Sequence, residues 1–193
     1  MAGLFPTSIP IREYSLSFYQ PTVMSRSQSG RRFSRLMAGH RWEIKVVPED
    51  LDVTEYRLLN GFLMKQQGSN ATFTFSLPGY TIGGTIAGSP VVSSVPNDSS
   101  VVLTGLSGGD NVKAGDLLTF AGHTKVYAAA EDASESGGSM TVNFEPDLIE
   151  TPAASEAVEF NSPVFTVHND DKKISFTRRG VFYSSSFNFI EAY

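Results

Sequence analysis

The chain has 193 residues, of which 40% are apolar and 18% are charged, and its net charge is −5. This composition is typical of a folded protein and excludes a long disordered chain. There is no cysteine, so a disulfide, a thiolate metal site and a cysteine nucleophile are excluded. No apolar run approaches the ~18 residues of a membrane span, and the first residues lack the pattern of a signal peptide. We therefore expect a protein that is assembled in a reducing cytoplasm, without membrane insertion.

Charge is distributed unevenly along the chain. Residues 1–79 carry nine Lys and Arg against six Asp and Glu, residues 80–163 carry two against eleven, and residues 164–193 carry four against three. The net charges of the three segments are therefore +3, −9 and +1. This pattern favours a discontinuous domain, formed by 1–79 and 164–193, that is interrupted by an inserted acidic domain at 80–163. A single domain with one acidic face is the alternative.

The two outer segments have the alternation of apolar and polar residues that predicts β-strands. In residues 12–19 and again in 42–47, apolar side chains are at every second position. After Pro163 the alternation returns, and it predicts one long strand over 181–189. Abundant Gly, Ser and Thr favour tight turns between such strands. The outer segments therefore predict a mainly β belt, as a sandwich or barrel.

One segment, residues 52–67, has the pattern of an α-helix. Asp52 is placed to cap the first turn, and Glu55 can return a bond to the cap, which is a capping-box arrangement. Gly68 is placed to end the helix. Gly61 weakens the helix, and we interpret it as a position of close packing.

The predicted helix also has an apolar stripe that is wide enough to lie on a sheet. Its members are Leu58, Leu59, Phe62 and Leu63. We expect this stripe, with Phe62 and Leu63 in its middle, to be buried in the core of the outer domain.

The acidic segment predicts a second β domain. It begins with a glycine-rich passage, 79–90, which we interpret as a linker. Short β-prone runs follow, and turn clusters such as 107–110 (SGGD) and 136–139 (SGGS) separate them. Several short strands at this spacing predict a small barrel-like domain.

The acidic residues of the inserted segment could hold a cation or could be solvated. They match no calcium-loop register, so a solvated acidic surface is our interpretation. They are Asp98, Asp110, Asp116, Glu131, Asp132 and Glu135.

Residue types that carry catalysis do not cluster in the sequence. His40, His123 and His168 are isolated, with no second ligand at the spacing of a metal site. There is no Gly-x-Ser-x-Gly nucleophile motif, and the glycines of 83–88 lack the Lys that completes a phosphate-binding loop. Residues 168–171 (HNDD) could form a metal or acid–base cluster, but a polar turn is the simpler interpretation. We expect no enzyme activity, no metal and no cofactor.

Five arginines fall within sixteen positions of this acidic chain. They are Arg26, Arg31, Arg32, Arg35 and Arg41. Nucleic-acid binding would need a net basic domain with exposed aromatic residues among the arginines, whereas here the aromatics are at core-facing strand positions. An arginine cluster beside Gly and Ser is otherwise typical of protein–protein contacts, in which guanidinium groups pair with carboxylates. We therefore predict that these arginines contact another protein, which the residues alone do not identify.

Four stretches, taken in order, carry a resemblance to a known family. They are SRSQSGRR with AGHRWEIKV, the helical LDVTEYRLLNGFLMKQQGSNATFTF, the inserted VKAGDLLTFAGHTKVYAAAED, and the closing PVFTVHNDDKKISFTRRGVFYSSSFNFIEAY. Their order is similar to that in the distal tail proteins of tailed bacteriophages, which are adaptors of the tail hub. The resemblance covers nearly the whole chain, although the individual motifs are loose.

The resemblance implies a structural protein of the virion tail, assembled in the host cytoplasm. In that family a β-rich belt domain with one helix packs with its copies into a ring, commonly a hexamer. The ring joins the tail tube to the hub and the fibre-bearing tip of the baseplate, and DNA passes through its centre without specific binding. By this resemblance 1–79 and 164–193 are the belt, and 80–163 is an accessory domain. In such a ring the five arginines would meet acidic groups of a neighbouring copy or of an adjoining ring, and we prefer this interface to the alternative that some of them line the lumen. The acidic candidates on a neighbouring copy are Glu49, Asp50 and Asp52.

Two other functions remain open at this point. In one, the inserted domain is a receptor- or fibre-binding module that docks a tail fibre or a host-surface glycan, and the belt only anchors it. Most aromatics of the insert are at core positions, which argues against a sugar-stacking platform: Tyr80, Phe120, Tyr127, Phe144 and Phe160. In the other, the chain is a small hydrolase.

Overall fold

The computed structural model describes residues 3–37 and 39–193. It divides the chain into two compact units, Met1–Phe73 with Val167–Ala192, and Thr74–Thr166 with Tyr193. The expected joints at 79/80 and 163/164 lie a few residues from these divisions, because the strands 73–76 and 164–169 straddle them. Whether the units are separable domains stays a prediction.

Within the described residues, strands dominate the secondary structure. The elements before the insert are β1 (Gly3–Leu4), β2 (Ile11–Tyr19), β3 (Thr22–Arg26), β4 (Arg32–Leu36), β5 (Arg41–Pro48), α1 (Val53–Gln66), a 3₁₀ turn (Gly68–Asn70) and β6 (Phe73–Ser76). Those of the insert are β7 (Val91–Asn97), β8 (Ser100–Thr104), β9 (Asn111–Val112), β10 (Leu117–Phe120), β11 (Val126–Ala129), β12 (Ala133–Ser134), β13 (Ser139–Glu145) and β14 (Val158–Glu159). The last four are β15 (Val164–Asn169), β16 (Thr177–Arg179), β17 (Phe182–Ser184) and β18 (Phe187–Glu191).

A six-stranded sheet, in the order β1-β6-β15-β18-β5-β2, forms the basis of the first unit. The predicted alternation of β5 is confirmed, since Trp42, Ile44 and Val46 are buried and the residues between them are exposed. On the neighbouring strand β18, Phe189 lies opposite Ile44 in an antiparallel register. Phe189 is itself buried, so the neighbouring strands β5 and β18 contribute to one apolar core.

The long strand predicted over 181–189 is wrong. The structure has two strands there, because β17 pairs with β16 in a separate hairpin whereas β18 joins the large sheet. The consequence for burial is large: Val181 is 64% exposed, but Phe187 and Phe189 are fully buried. Alternation alone could not detect that the chain changes sheets at residues 185–186.

The helix α1 has the predicted N-terminal cap. Asp52 Oδ1 accepts hydrogen bonds from the backbone N–H groups of Thr54 and Glu55, at 2.6 and 2.7 Å. Glu55 Oε2 accepts the backbone N–H of Asp52 at 2.9 Å, so the capping box is confirmed. At the other end the cap is Gln67, which adopts φ 54°, and not Gly68 as expected.

The apolar stripe of α1 is partly wrong. Leu59 and Leu63 are buried as expected, but Leu58 is 48% exposed and Phe62 is only half-buried. Phe62 contacts the ring edge of Phe5 at 5.8 Å between centroids. The buried side of the helix is therefore rotated away from Leu58.

Gly61 is not a position of close packing within the molecule. It is exposed, and a Cβ placed on it would have no heavy-atom neighbour within 4 Å. A glycine inside a helix costs roughly 1 kcal/mol relative to alanine. Gly61 therefore weakens the helix, and no contact among the described residues requires a glycine at this position.

The second unit contains a sheet in the order β14-β10-β11-β13-β8-β7. An antiparallel bridge between Val91 and Ala157 brings the two ends of this sheet together, so the sheet curves into a barrel. Apolar side chains such as Leu103, Phe120 and Phe144 fill its interior. The predicted fold class is confirmed for the described residues: mainly β, sandwich- or barrel-like, with one α-helix and a small inserted barrel.

Candidate assembly surface

The most exposed element of the first unit is a two-stranded hairpin, residues 22–36, which we call the arm. Its strands β3 and β4 pair with each other in an antiparallel register. They join no larger sheet in the part of the chain that the structure describes. Five-residue strands extend about 17 Å, before the turn is counted.

The arm prolongs the ladder that β2 and β5 form within the large sheet. Tyr19 lies opposite Arg41 at the last pair of that ladder. The backbone N–H of Met37 then donates to Pro21 O at 2.9 Å, which restarts the pairing beyond a break. Gly39 adopts φ +117° at this break, a backbone conformation that residues other than glycine rarely adopt.

The turn of the arm is held by its own polar groups. The backbone N–H of Gly30 donates to Ser27 O at 2.9 Å, and the N–H of Arg31 donates to Ser27 Oγ at 3.2 Å. Gly30 adopts φ +79°. The sequence SRSQSGRR therefore encodes a hairpin turn, which places Arg26 and Arg31 beside its tip.

Both faces of the arm are exposed, and both carry apolar as well as basic side chains. Every residue of β3 and β4 is exposed. Since side chains alternate along a strand, Met24 shares a face with Arg26 and Arg32, and Phe33 shares the other with Arg35. The large apolar side chains of the arm, and that of the adjoining Met37, are at least half exposed: Val23, Met24, Phe33, Leu36 and Met37. Their exposure was not predicted, although apolar residues that alternate with arginines along a strand were a detectable signal.

The arginines of the arm have no acidic partner in the part of the chain that the structure describes. Arg26 lies directly opposite Arg32. Across residues 3–37 and 39–193, no ion pair joins Arg26, Arg31, Arg32 or Arg35 to a carboxylate. Arg32 instead has a guanidinium nitrogen 2.6 Å from Met24 Sδ. The arm therefore concentrates positive charge that no carboxylate of the described residues neutralises.

Arg41 does not belong to the arm. It lies in β5, opposite Tyr19, and its side chain is exposed. Burial lowers the pKa of the neighbouring His168, and the charge of Arg41 acts in the same direction while Asp170 opposes it. The five predicted arginines thus separate into a group of four on the arm and one on the large sheet.

The three predicted acidic partners follow β5 on a short segment, which we call the acidic segment. Glu49, Asp50 and Asp52 are all exposed. Asp52 also serves as the helix cap, where Oδ1 accepts both capping bonds. Between them Leu51 is buried and exchanges two backbone hydrogen bonds with Tyr183 of β17, each 2.9 Å. The structure therefore brings the acidic residues together, on a firmly anchored backbone.

Two acidic residues of the insert are structural, and their interpretation as solvated surface is wrong. Asp110 is 2% exposed and Asp116 is 5% exposed. Asp110 accepts backbone N–H bonds from Ala87, Gly88 and Ser107, at 2.8, 3.1 and 2.8 Å. These bonds, that of Ala87 foremost, lower the pKa of Asp110 although burial opposes them.

Asp116 repeats the arrangement of Asp110. It accepts backbone N–H bonds from Gly83, Gly84 and Lys113, at 2.6, 3.1 and 2.7 Å. Each aspartate thus holds the residue three positions before it and two consecutive residues of the segment 83–88. We call Asp110 and Asp116 the aspartate clamps.

The glycine-rich segment 83–88 is consequently an integral part of the second unit and not a linker. A Cβ on Gly84 would lie 2.2 Å from Asn111 O, and one on Gly88 would lie 2.5 Å from Gly105 O. Glycine is required at both positions because another backbone passes too close for a side chain.

The HNDD stretch is only in part the predicted turn, because His168 and Asn169 end β15 and a polar loop begins at Asp170. Asn169 is the last residue of the strand, and its Oδ1 accepts the backbone N–H of Asp171 at 3.1 Å. Asp171 accepts the backbone and side-chain amides of Asn188, each at 2.8 Å. The carboxylate of Asp171 is therefore used to connect this turn to β18.

Other classes of site find little support in the structure. Within the described residues, no three His, Asp or Glu side chains are grouped so that they could hold a metal ion. No helix of that part is long and apolar enough to span a membrane. Four aromatic side chains of the insert are buried, and the fifth, Tyr80, accepts the backbone N–H of Leu117 at 2.8 Å. They provide no exposed ring on which a sugar could stack.

The comparison with known families bears on the second unit. Residues 79–162 match the family model described as "Distal tail protein pb9, B domain". The inserted segment is thus similar to the B domain of a distal tail protein. The match confirms the resemblance to phage distal tail proteins, and it supports a structural role in the virion tail together with other tail proteins. No curated protein matches the chain.

The matched span also covers both aspartate clamps and the whole of segment 83–88. Sequence patterns missed this structural role because carboxylates that accept backbone N–H groups look the same as solvated ones. The available signal was the repeat of SGGD and KAGD, in which the aspartate is the fourth residue of the turn and accepts the backbone N–H of the first.

Proposed function

We propose that copies of the chain assemble into a closed ring, a hexamer by the family resemblance, in the phage tail. The ring connects the tail tube to the hub or the fibre-bearing tip and surrounds the channel through which DNA leaves. It has no enzymatic role, and it is assembled in the host cytoplasm. The observation that carries this proposal is the arm, which exposes apolar and basic side chains on both faces.

The arm needs a partner for its stability as well as for its charge. An isolated two-stranded hairpin is marginally stable in water. Burial of apolar surface contributes roughly 25 cal/mol per Å², and the arm has half-exposed Met24 and Phe33 on opposite faces. Contact with another protein can therefore stabilise the arm from two sides.

The acidic segment of a neighbouring copy has the charge that the arm requires. A ring needs a heterologous interface, in which one patch meets a different patch on the next copy. The basic arm and the exposed Glu49 and Asp50 supply two such patches on one chain. Asp52 contributes through Oδ2, because Oδ1 accepts both capping bonds.

Placement of the arm at the interface also fits the passage of DNA. A channel lined by unpaired arginines would bind phosphates and slow DNA exit. Arginines that are neutralised by a neighbouring copy do not have this effect. We therefore assign the arm to the subunit contact and not to the channel wall.

The test is an Arg31→Glu, Arg32→Glu double variant, compared with wild type by light-scattering mass and negative-stain imaging. Loss of a desolvated interfacial arginine pair typically costs about 2–5 kcal/mol, whereas exposed pairs contribute ~0–1 kcal/mol. We expect a ring for wild type, and folded monomers or small oligomers for the variant at the same concentration.

The matched control is Lys172→Glu, Lys173→Glu, which makes the same change of net charge on two exposed neighbouring lysines of the first unit. It should assemble like wild type. A wild type that stays monomeric at its highest soluble concentration would contradict a self-assembling ring. An unchanged ring in the arm variant would contradict the role of the arm.

The receptor-binding alternative is not favoured by a specific feature of the insert. Sugar sites usually stack the ring of the sugar on an exposed aromatic side chain, and the insert's own aromatics are buried or hydrogen-bonded inward. A glycan array with the intact protein would test this alternative directly.

A further inference from the structure

The exposed side of α1 forms a socket around Gly61. Residues three and four positions away on a helix are the nearest surface neighbours of a given residue. For Gly61 these are Arg57, Leu58, Met64 and Lys65, and all four are exposed. Two apolar and two basic side chains therefore surround the exposed backbone of Gly61, and we call this surface the socket.

Among the described residues, none occupies this socket. Leu58 is 48% exposed and Met64 is 71% exposed, and the space above Gly61 is empty to 4 Å. In the described part of the chain, Arg57 and Lys65 form no ion pair. A helix that keeps a destabilising glycine beneath exposed apolar side chains is typical of a surface against which another chain packs closely.

The inserted unit presents a side chain of matching chemistry. In the loop that follows β13, Ile149 is 54% exposed. Its neighbours Asp147 and Glu150 are exposed too, and neither forms an ion pair among the described residues. The backbone of this loop is anchored, because the N–H of Ile149 lies 3.4 Å from Tyr127 Oη and that of Leu148 donates to Asp98 O at 2.6 Å.

We propose that the socket around Gly61 receives Ile149 of a second copy of this chain. The apolar side chain fits above the glycine between Leu58 and Met64, and the flanking carboxylates face Arg57 and Lys65. The contact is heterologous, since the helix of one copy meets the inserted unit of the next. It rests on the proposed self-assembly but uses residues outside the arm and the acidic segment.

Disulfide trapping tests this contact well because the chain contains no cysteine. One protein carries Met64→Cys and the other carries Thr151→Cys, two exposed positions that leave Gly61 and Ile149 in place, so a mixed disulfide can form only between copies. Cysteines are bridged only where their Cα atoms come within about 7 Å. After mild oxidation we expect severalfold more mixed disulfide than for Met64→Cys with Ser93→Cys, a control at an exposed position of β7. Equal yields for the two mixtures would overturn the proposal.

Charge reversal tests the orientation of the contact in the same assay. Arg57→Glu, added to the protein with Met64→Cys, should reduce the mixed disulfide severalfold. Glu150→Lys, added to the protein with Thr151→Cys, should restore most of the yield. A yield that does not respond to either change would contradict the predicted charge pairing.

Gly61→Ala separates the socket from an effect on folding. Alanine should raise the melting temperature of the protein, because it favours the helix, and it should lower self-association by filling the socket. Unchanged association in this better-folded variant would overturn the proposal. The arm is tested independently: if the double variant of Arg31 and Arg32 dissociates the ring while the mixed disulfide fails to form, only the socket contact is wrong.

Discussion

Arg26 and Arg32 lie directly opposite each other on the arm, and neither pairs with a carboxylate of the described chain. Like charges at directly opposite positions destabilise a β-ladder. The sequence therefore places a repulsive pair near the tip of a hairpin that is already marginal alone. Such a pair is tolerable when an acidic partner neutralises it, which is why we connect the arm with assembly.

Arg32→Glu should stabilise the arm of the unassembled protein while it weakens assembly. The substitution turns a repulsive cross-strand pair into an attractive one, and cross-strand pairs contribute roughly 0.2–1 kcal/mol. Amide hydrogen exchange over residues 22–36, at a concentration where the protein is monomeric, should slow severalfold. Arg35→Glu is the matched control, because it makes the same charge change opposite Val23. Faster exchange in the Arg32 variant would contradict the repulsion.

Asp110→Asn should destabilise the second unit. The amide would present N–H groups toward backbone N–H donors, and a buried donor that loses its acceptor costs about 1–3 kcal/mol. Chemical denaturation should report this difference in the free energy of unfolding. Asp98→Asn, at an exposed aspartate of the same unit, should change that free energy by less than about 0.5 kcal/mol. Equal stabilities for the two variants would show that the clamp contributes little.

The Asp110 clamp should also weaken in acid. Its pKa in the folded protein lies below the ordinary value of 3.8. A lowered pKa means that the stabilisation is complete above the pKa of the unfolded chain and is lost as the pH falls through the folded value. The stability difference between wild type and Asp110→Asn should therefore stay constant at higher pH and shrink below about pH 3.8. Denaturation curves of both proteins from pH 6 downward, about one pH unit apart, measure this stability difference. A difference that grows in acid would contradict the role of the Asp110 carboxylate.

Local sequence patterns correctly predicted the features that depend only on residues close together in the chain. The β5 alternation and the Asp52–Glu55 capping box are confirmed, because both depend on residues a few positions apart. Leu58 was misplaced because a stripe of four residues spans a wide arc of the helix. Its edge residue is then buried or exposed according to what packs beside it.

The glycines and aspartates of the insert could not be interpreted locally. Segment 83–88 has a linker composition, but its glycines are required by distant backbone atoms, such as Asn111 O next to Gly84. The charge count likewise treated Asp110 and Asp116 as solvated, since it does not record hydrogen-bond partners. For the arm, the positions of the arginines were predictable, but their lack of intramolecular partners was not.

Leu63→Ala should destabilise the first unit far more than Leu58→Ala. Leu63 is 1% exposed, and truncation of a buried leucine typically costs 2–5 kcal/mol, here about the middle of that range. Leu58 is 48% exposed on the same helix, and its truncation should cost less than about 0.5 kcal/mol. Denaturation midpoints of the two variants compare a buried and an exposed leucine with the same change of helix propensity. Similar midpoints would mean that the assigned buried face is wrong.

Replacement of residues 83–161 by a short Gly-Ser bridge should leave a folded remainder. The strands β6 and β15, which flank the replaced segment, are neighbours in the six-stranded sheet, so a short bridge can connect them. Neighbouring strands are about 4.8 Å apart. The shortened chain keeps the buried residues of the first unit, among them Ile44, Leu59 and Phe189. We expect a single cooperative thermal transition, measured by circular dichroism at a β-sheet wavelength. The intact segment 79–162, expressed alone, should also melt cooperatively. A shortened chain without a transition would show that the belt depends on its insert. The uneven charge would then mark one acidic face of a single domain.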